Sequence, residues 1–195
     1  MLSALDANSA IPCSMLSGVR LLSDEARRRL DPARNVRAFL DGLLADGLLS
    51  DSLDVIAHLL PKRYAIAWAC ECLQASLAEG DAGAVDRSAI ATAQRWLKDP
   101  TEENRRAAQE LAERLDYETP GAWLAAAAGW SGGSLAPADL PEVAPPPTLS
   151  GEAVAAALKL AAAADAPRYQ QRLREFAERA MQAFAPASGA PGGGA

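Results

Sequence analysis

Four arrangements in this 195-residue chain have residue types and spacings that could support chemistry. The first is Gly129-Trp130-Ser131-Gly132-Gly133, which fits the G-x-S-x-G pattern of a serine nucleophile. That chemistry needs a strand turning sharply into a helix at the serine, and a histidine further along to take its proton. The single histidine, His58, lies upstream, and the residues before Ser131 read as a helix. The pattern therefore reads as a glycine-rich helix terminus anchored by a tryptophan. The second is the pair Gly132-Gly133, whose N–H groups could face an anion. A phosphate loop also needs a Gly-Lys-Ser or Gly-Lys-Thr after the glycines, and none follows. The third is His58, with Asp54 and Lys62 one helical turn to either side. One histidine cannot build a metal site without help from elsewhere, so the spacing is read as a structural contact to the Asp54 carboxylate. The fourth is Cys70 and Cys72, separated by one residue, with Cys13 far away. No zinc or redox spacing results. The three read as partly buried free thiols in a reducing cytoplasm.

Two groups remain as contact sites. Glu71 lies in the most apolar stretch of the chain, where an uncompensated carboxylate costs several kcal/mol or shifts its pKa. A partner is expected, with Lys62 or Arg63 as the candidates. His58, Arg63, Tyr64 and Glu71 together form the candidate pocket of a small-ligand binder or an enzyme. The second group is Trp123, Trp130, Ser131, Gly132, Gly133 and Leu135. The two tryptophans flank an alanine run and lead into a long loop, which suits a docking or scaffold corner. Trp68 and Trp96 sit on apolar stripes and read as core. No catalytic residue, metal ligand set or cofactor is assigned.

The elements that must position these residues are helices. Half of the chain is hydrophobic, and alanine supplies nearly half of that. Ile and Val together number ten and Thr adds four, too few for a sheet. An all-α domain of eight or nine helices is expected over residues 23–184. A loosely ordered lead-in (1–22) precedes it and a disordered Gly/Pro/Ala tail (185–195) follows. Ser23 caps a short first helix that Pro32 stops, and Asn35 to Asp46 forms the second. Asp51 or Ser52 caps the third, which runs to Leu60. Pro61 opens a fourth helix over about 61–79, apolar nearly all round and so taken as central. Val85 to Lys98 is the fifth. Thr101 caps a sixth, surface helix whose stripe is Ala107, Ala108, Leu111 and Leu115. Thr119 caps the seventh, with Pro120 at its first position. A Gly/Pro-rich loop over 131–148 then leads to an eighth helix (about 151–164) and a ninth ending near Phe184. The surroundings of the four tryptophans do not recur, which argues against a repeat array.

Charge narrows the partners. The net charge is −6 and almost all of the basic residues are arginine. An acidic chain is not expected to take nucleic acid as its main partner. The long uncharged run, Thr119 to Ala138, contains Pro120, Gly132, Gly133 and Pro137, so no membrane span is expected. The N-terminus does not look like a signal peptide, and a cytoplasmic setting follows.

Three blocks carry a family resemblance: Leu59 to Cys70, Trp96 to Ala108, and Trp130-Ser131-Gly132-Gly133-Ser134-Leu135-Ala136-Pro137. Over about residues 35–180 the chain resembles an uncharacterised proteobacterial domain-of-unknown-function family, the last block being the most distinctive. The resemblance implies a link to contractile (type VI) secretion and supplies no catalytic residues. Together these readings lead to a non-catalytic interaction or adaptor protein whose partner is another protein.

Overall fold

A computed structural model describes residues 13–19, 21–78, 83–137 and 139–183. Among them are nine α-helices and no strand: α1 Asp24–Arg29, α2 Val36–Ala45, α3 Leu49–Leu59, α4 Lys62–Ala78, α5 Ala84–Lys98, α6 Glu102–Arg114, α7 Pro120–Gly129, α8 Leu149–Ala163 and α9 Tyr169–Ala183. The all-α expectation holds.

Local chemistry sets the helix starts. Ser23, Asn35, Thr101 and Thr119 each accept a hydrogen bond from a first-turn N–H, satisfying a donor that the helix itself cannot. Two expected starts move. Helix α3 begins at Leu49, before Asp51, and has no side-chain cap. Asp51 is used across the fold instead. Its carboxylate accepts from Ser23 N at 2.6 Å and Ser23 Oγ at 3.0 Å, fastening the start of α1 to α3. Pro61 precedes α4, and its carbonyl accepts from Tyr64 N and Ala65 N.

Helices α3, α7 and α8 form most of the interior, and α4 packs its inner face on α7 and α8. On α4, Ala65, Ile66, Trp68, Ala69, Cys70, Cys72 and Leu73 are buried. Trp68 Nε1 donates to Phe176 O at 3.0 Å, which satisfies the one polar atom of a core indole. Trp96 is buried as well. Helix α7 is enclosed still more fully, with Ala122 and Leu124 to Ala128 all at 0% exposure. Its alanines let α8 pack closely against it, and on α8 Ala153, Ala155, Ala157, Ala161 and Ala162 are buried as well, around most of that helix. Small side chains on both faces bring backbones near each other, and dispersion is gained along the whole contact.

The lead-in expected over 1–22 is structured at its end. Cys13–Gly18 is a 3-10 turn, Cys13 N donates to Arg34 O, and Cys13, Leu16, Val19 and Leu22 are buried. Four apolar side chains without clear periodicity still find the core. The tail at 185–195 lies outside the described residues. No helix among the described residues is long and apolar enough to cross a membrane.

Candidate functional site

The candidate pocket residues on α3 and α4 do not converge. Glu71 is exposed, as are Arg63 and Tyr64. The physical reason is helix phase. Tyr64, Ala67, Glu71 and Gln74 follow one another at spacings of three and four, so they share the outer face of α4. Glu71 thus needs no buried partner, and the expected pairing with Lys62 or Arg63 is replaced. Arg63 Nη2 donates to Leu97 O at 2.6 Å, at the end of α5. Lys62 Nζ donates to Ser131 O at 2.8 Å.

His58 also differs from expectation. Its Nδ1 lies 2.7 Å from the backbone carbonyl of Asp54, so Nδ1 carries the proton and donates to that oxygen. The Asp54 carboxylate is taken by Lys159 of α8, at 2.6 and 2.7 Å. Asp54 is 1% exposed, and its burial holds the carboxyl above its usual pKa against the pull of Lys159. His58 borders a cleft of about 180 Å³ with Val19, Leu60, Lys62, Pro147 and Thr148. Arg63, Tyr64 and Glu71 do not line it.

Around residues 129–143 the arrangement is different. Here the structure brings the expected corner together and shows what holds it. The buried residues of α6 are Arg105, Ala108, Gln109 and Ala112; of the expected stripe Ala108 is among them, and Leu111 and Leu115 pack against the core partly buried. Arg105 is 4% exposed. Its guanidinium donates to both carboxylate oxygens of Glu102, at 2.6 and 2.7 Å. It also donates to Gln109 Oε1, to Ser134 O at 3.0 Å and to Gly129 O, at the buried C-terminal end of α7. The planar fork suits such a task, because five N–H groups serve several acceptors at once. That contact holds the Glu102 carboxyl below the usual carboxylate range.

Neighbouring side chains repeat the pattern. Gln109 Nε2 donates to Leu135 O at 2.9 Å, and Arg106 Nη1 to Ala136 O at 3.1 Å. Ser134 Oγ accepts from Ala136 N and Val143 N, while Leu135 N donates to Val143 O. Carbonyl after carbonyl of the loop is held by a side chain of α4 or α6. Ser131 Oγ donates to Ala128 O at 2.7 Å, so the hydroxyl of the G-x-S-x-G pattern closes a helix end.

Gly133 is required at this corner. Its φ is +61°, and a Cβ there would lie 2.8 Å from Arg105 Nε. Gly133→Ala is expected to cost about 1–3 kcal/mol, since the backbone strain adds to displacement of a buried guanidinium. Gly132→Ala meets nothing within 4 Å and should cost less. Urea unfolding of the two variants checks this, and equal midpoints would show that the corner is looser than described.

Beside the corner lies an aromatic group that includes a residue sequence reading missed. Tyr117 packs on Trp123 and Trp130 with ring centroids 5.6 Å away in each case, and the two indoles stand edge to face at 6.1 Å. All three are half-buried. Asp116 (φ 50°) and Tyr117 (φ 56°) are consecutive non-glycine residues in the left-handed region. Such residues cost of order 1–3 kcal/mol each and persist where the surroundings demand them. Burial, with Glu113 and Asp116 close by, pushes the Tyr117 hydroxyl above its ordinary pKa. A reading of periodicity could not find Tyr117, because it lies between helices. Arg105 and Gln109 had a signal in their spacing with Ala108 and Ala112, a face that apolar residues alone do not reveal.

Past the corner the loop faces water. Leu140 and Val143 are 56% and 52% exposed, and Pro141, Glu142, Ala144, Pro146 and Pro147 are exposed as well. Among the described residues, no three His, Cys, Asp or Glu side chains are grouped to hold a metal ion.

In a comparison with known families, the sequence model described as "Family of unknown function (DUF6931)" matches residues 39–184. Neither the curated proteins nor the solved structures include a match.

Proposed function

The chain belongs to the DUF6931 family, and we propose that it acts without catalysis, as a helical module that docks another protein at the corner spanning Trp123 to Val143. The observation that carries this reading is the pair Leu140 and Val143, more than half exposed on a loop whose backbone is fastened at Ser134, Leu135 and Ala136. Ordering a segment costs conformational entropy, and leaving two aliphatic side chains in water recovers none of it. Burying them against a partner would contribute roughly 1.5–3 kcal/mol each. Because the loop is already held in place, little of that gain is lost to ordering on binding.

Trp123, Trp130 and Leu135, all partly buried, supply further apolar area at the corner. Ser131, Gly132 and Gly133 shape it. The resemblance of the Trp130 to Pro137 block points the search for the partner toward a bacterial contractile (type VI) secretion system. Three free cysteines, all buried, fit a reducing cytoplasm.

The test is quantitative co-purification of the tagged chain from its native host. Leu140→Asp combined with Val143→Asp is expected to reduce recovery of a specific partner by about tenfold or more, equivalent to losing one well-buried contact. Both positions are exposed, so the melting temperature should stay within about 2 °C of the parent. Undiminished recovery with a folded variant rejects the docking role.

A further inference from the structure

We infer that the face made by Tyr117, Trp123 and Trp130 receives arginine side chains of a basic partner. The inference rests on reading this corner as a docking surface and names the chemistry of what docks there. Three half-buried rings meet at centroid distances of 5.6–6.1 Å. Rings this close already touch one another, so a rounded ammonium cannot enter between them as it would in an open cage. What remains available is the outward part of each ring. A flat, weakly hydrated guanidinium can stack there and keep its N–H edges free for other acceptors.

Those acceptors are present. Glu113, Asp116 and Glu118 are all exposed, on the last turn of α6 and on the turn to either side of Tyr117. Glu113 already accepts from Gln109 through one oxygen, leaving its other oxygen for an incoming donor. Asp116 and Tyr117 take left-handed backbone angles one after the other, in the turn that carries the ring. A second copy docked corner to corner is a poor occupant, because the ridge it would offer carries the exposed Asp139 and Glu142 and acid would meet acid. A basic partner with exposed arginines satisfies both the rings and the carboxylates.

The experiment titrates the purified full chain with capped hexa-arginine and capped hexa-lysine, following the indole N–H resonances at two salt concentrations. Hexa-arginine is expected to move the signals of Trp123 and Trp130 and to leave those of Trp68 and Trp96, which are buried. Its half-saturation should lie about fivefold or more below that of hexa-lysine, because only the guanidinium stacks. Glu113→Gln with Asp116→Asn should weaken binding several-fold, most at low salt. Asparagine tolerates the left-handed region, so this variant keeps the backbone. Equal response to both peptides, or unmoved Trp123 and Trp130 signals, overturns the inference. If that happens while Leu140→Asp with Val143→Asp still loses a partner, the docking corner stands and only the arginine chemistry falls. If both experiments fail, the docking reading falls with it.

Discussion

Replacing Arg105 by methionine is expected to lower the melting temperature by roughly 10 °C, the largest single effect among the α6 side chains. Methionine keeps much of the volume and removes every donor. The main cost is not the lost attraction to Glu102. That carboxylate is 53% exposed and returns to water when the guanidinium is gone; Glu102→Gln, which leaves the buried guanidinium its other acceptors and an amide oxygen but no counter-charge, should cost less than Arg105→Met, about 1–3 kcal/mol. The cost comes from the acceptors left inside. Gly129 O, at the buried end of α7, and Ser134 O, beneath the loop, both lose a donor that water cannot easily replace. Each such group costs about 1–3 kcal/mol when stranded. The two carbonyls and the lost packing give about 3–5 kcal/mol, or some 2–4 °C per kcal/mol for a chain of this size. Arg105→Lys should recover only a small part, because one ammonium cannot span acceptors on α6, α7 and the loop. Thermal and urea unfolding of the three variants decide it. A shift under about 2 °C for Arg105→Met would mean that the loop, not the guanidinium, closes the end of α7.

The contrast between Arg105 and Glu71 shows how far this fold could be read in advance. Helix number, helix type and most boundaries were legible, because caps such as Ser23, Asn35, Thr101 and Thr119 are local chemistry and the fold has no reason to override them. The phase of α4 was legible in principle. Its apolar stretch hides a polar line through Tyr64, Glu71 and Gln74, and counting by threes and fours puts Glu71 in water. The fate of Arg105 was not legible. Whether an arginine on an alanine-rich helix is solvated or buried depends on acceptors thirty residues away, here the carbonyls of a loop that has no periodicity of its own. Asp51 teaches the same point, since it was placed as a cap for its own helix and serves Ser23 instead. The corner was legible as a composition, Trp-Ser-Gly-Gly-Ser, and its residues do come together. What it displays was missed. Leu140 and Val143 are two unremarkable residues of a proline-rich loop, and only the structure shows them outside. Tyr117 joins the tryptophans through a left-handed turn that no side-chain pattern announces.

A buried charge pair supplies the second large effect, and it carries a pH signature. Lys159→Met is expected to destabilise the protein by about 3–5 kcal/mol near neutral pH, because it strands the Asp54 carboxylate at 1% exposure between α3 and α8. In the parent protein burial already holds the Asp54 carboxyl above its unfolded value, with Lys159 opposing the rise. Without the amine the opposition goes and the folded pKa climbs further. A folded pKa above the unfolded one means that the native state binds the proton more tightly. The favourable contribution of protonated Asp54 is therefore complete below the unfolded pKa and is lost as pH rises through the folded one. The penalty of Lys159→Met should accordingly be greatest at neutral pH and shrink as the solution is acidified toward the folded pKa of Asp54. Adding Asp54→Asn should remove the pH-dependent part at every pH, since asparagine has no charge to strand. Urea midpoints of the single and double variants, taken between neutral and mildly acidic pH, measure this directly. If the gap between Lys159→Met and its parent stays constant over that range, the cost is packing by the lysine stem rather than a stranded charge.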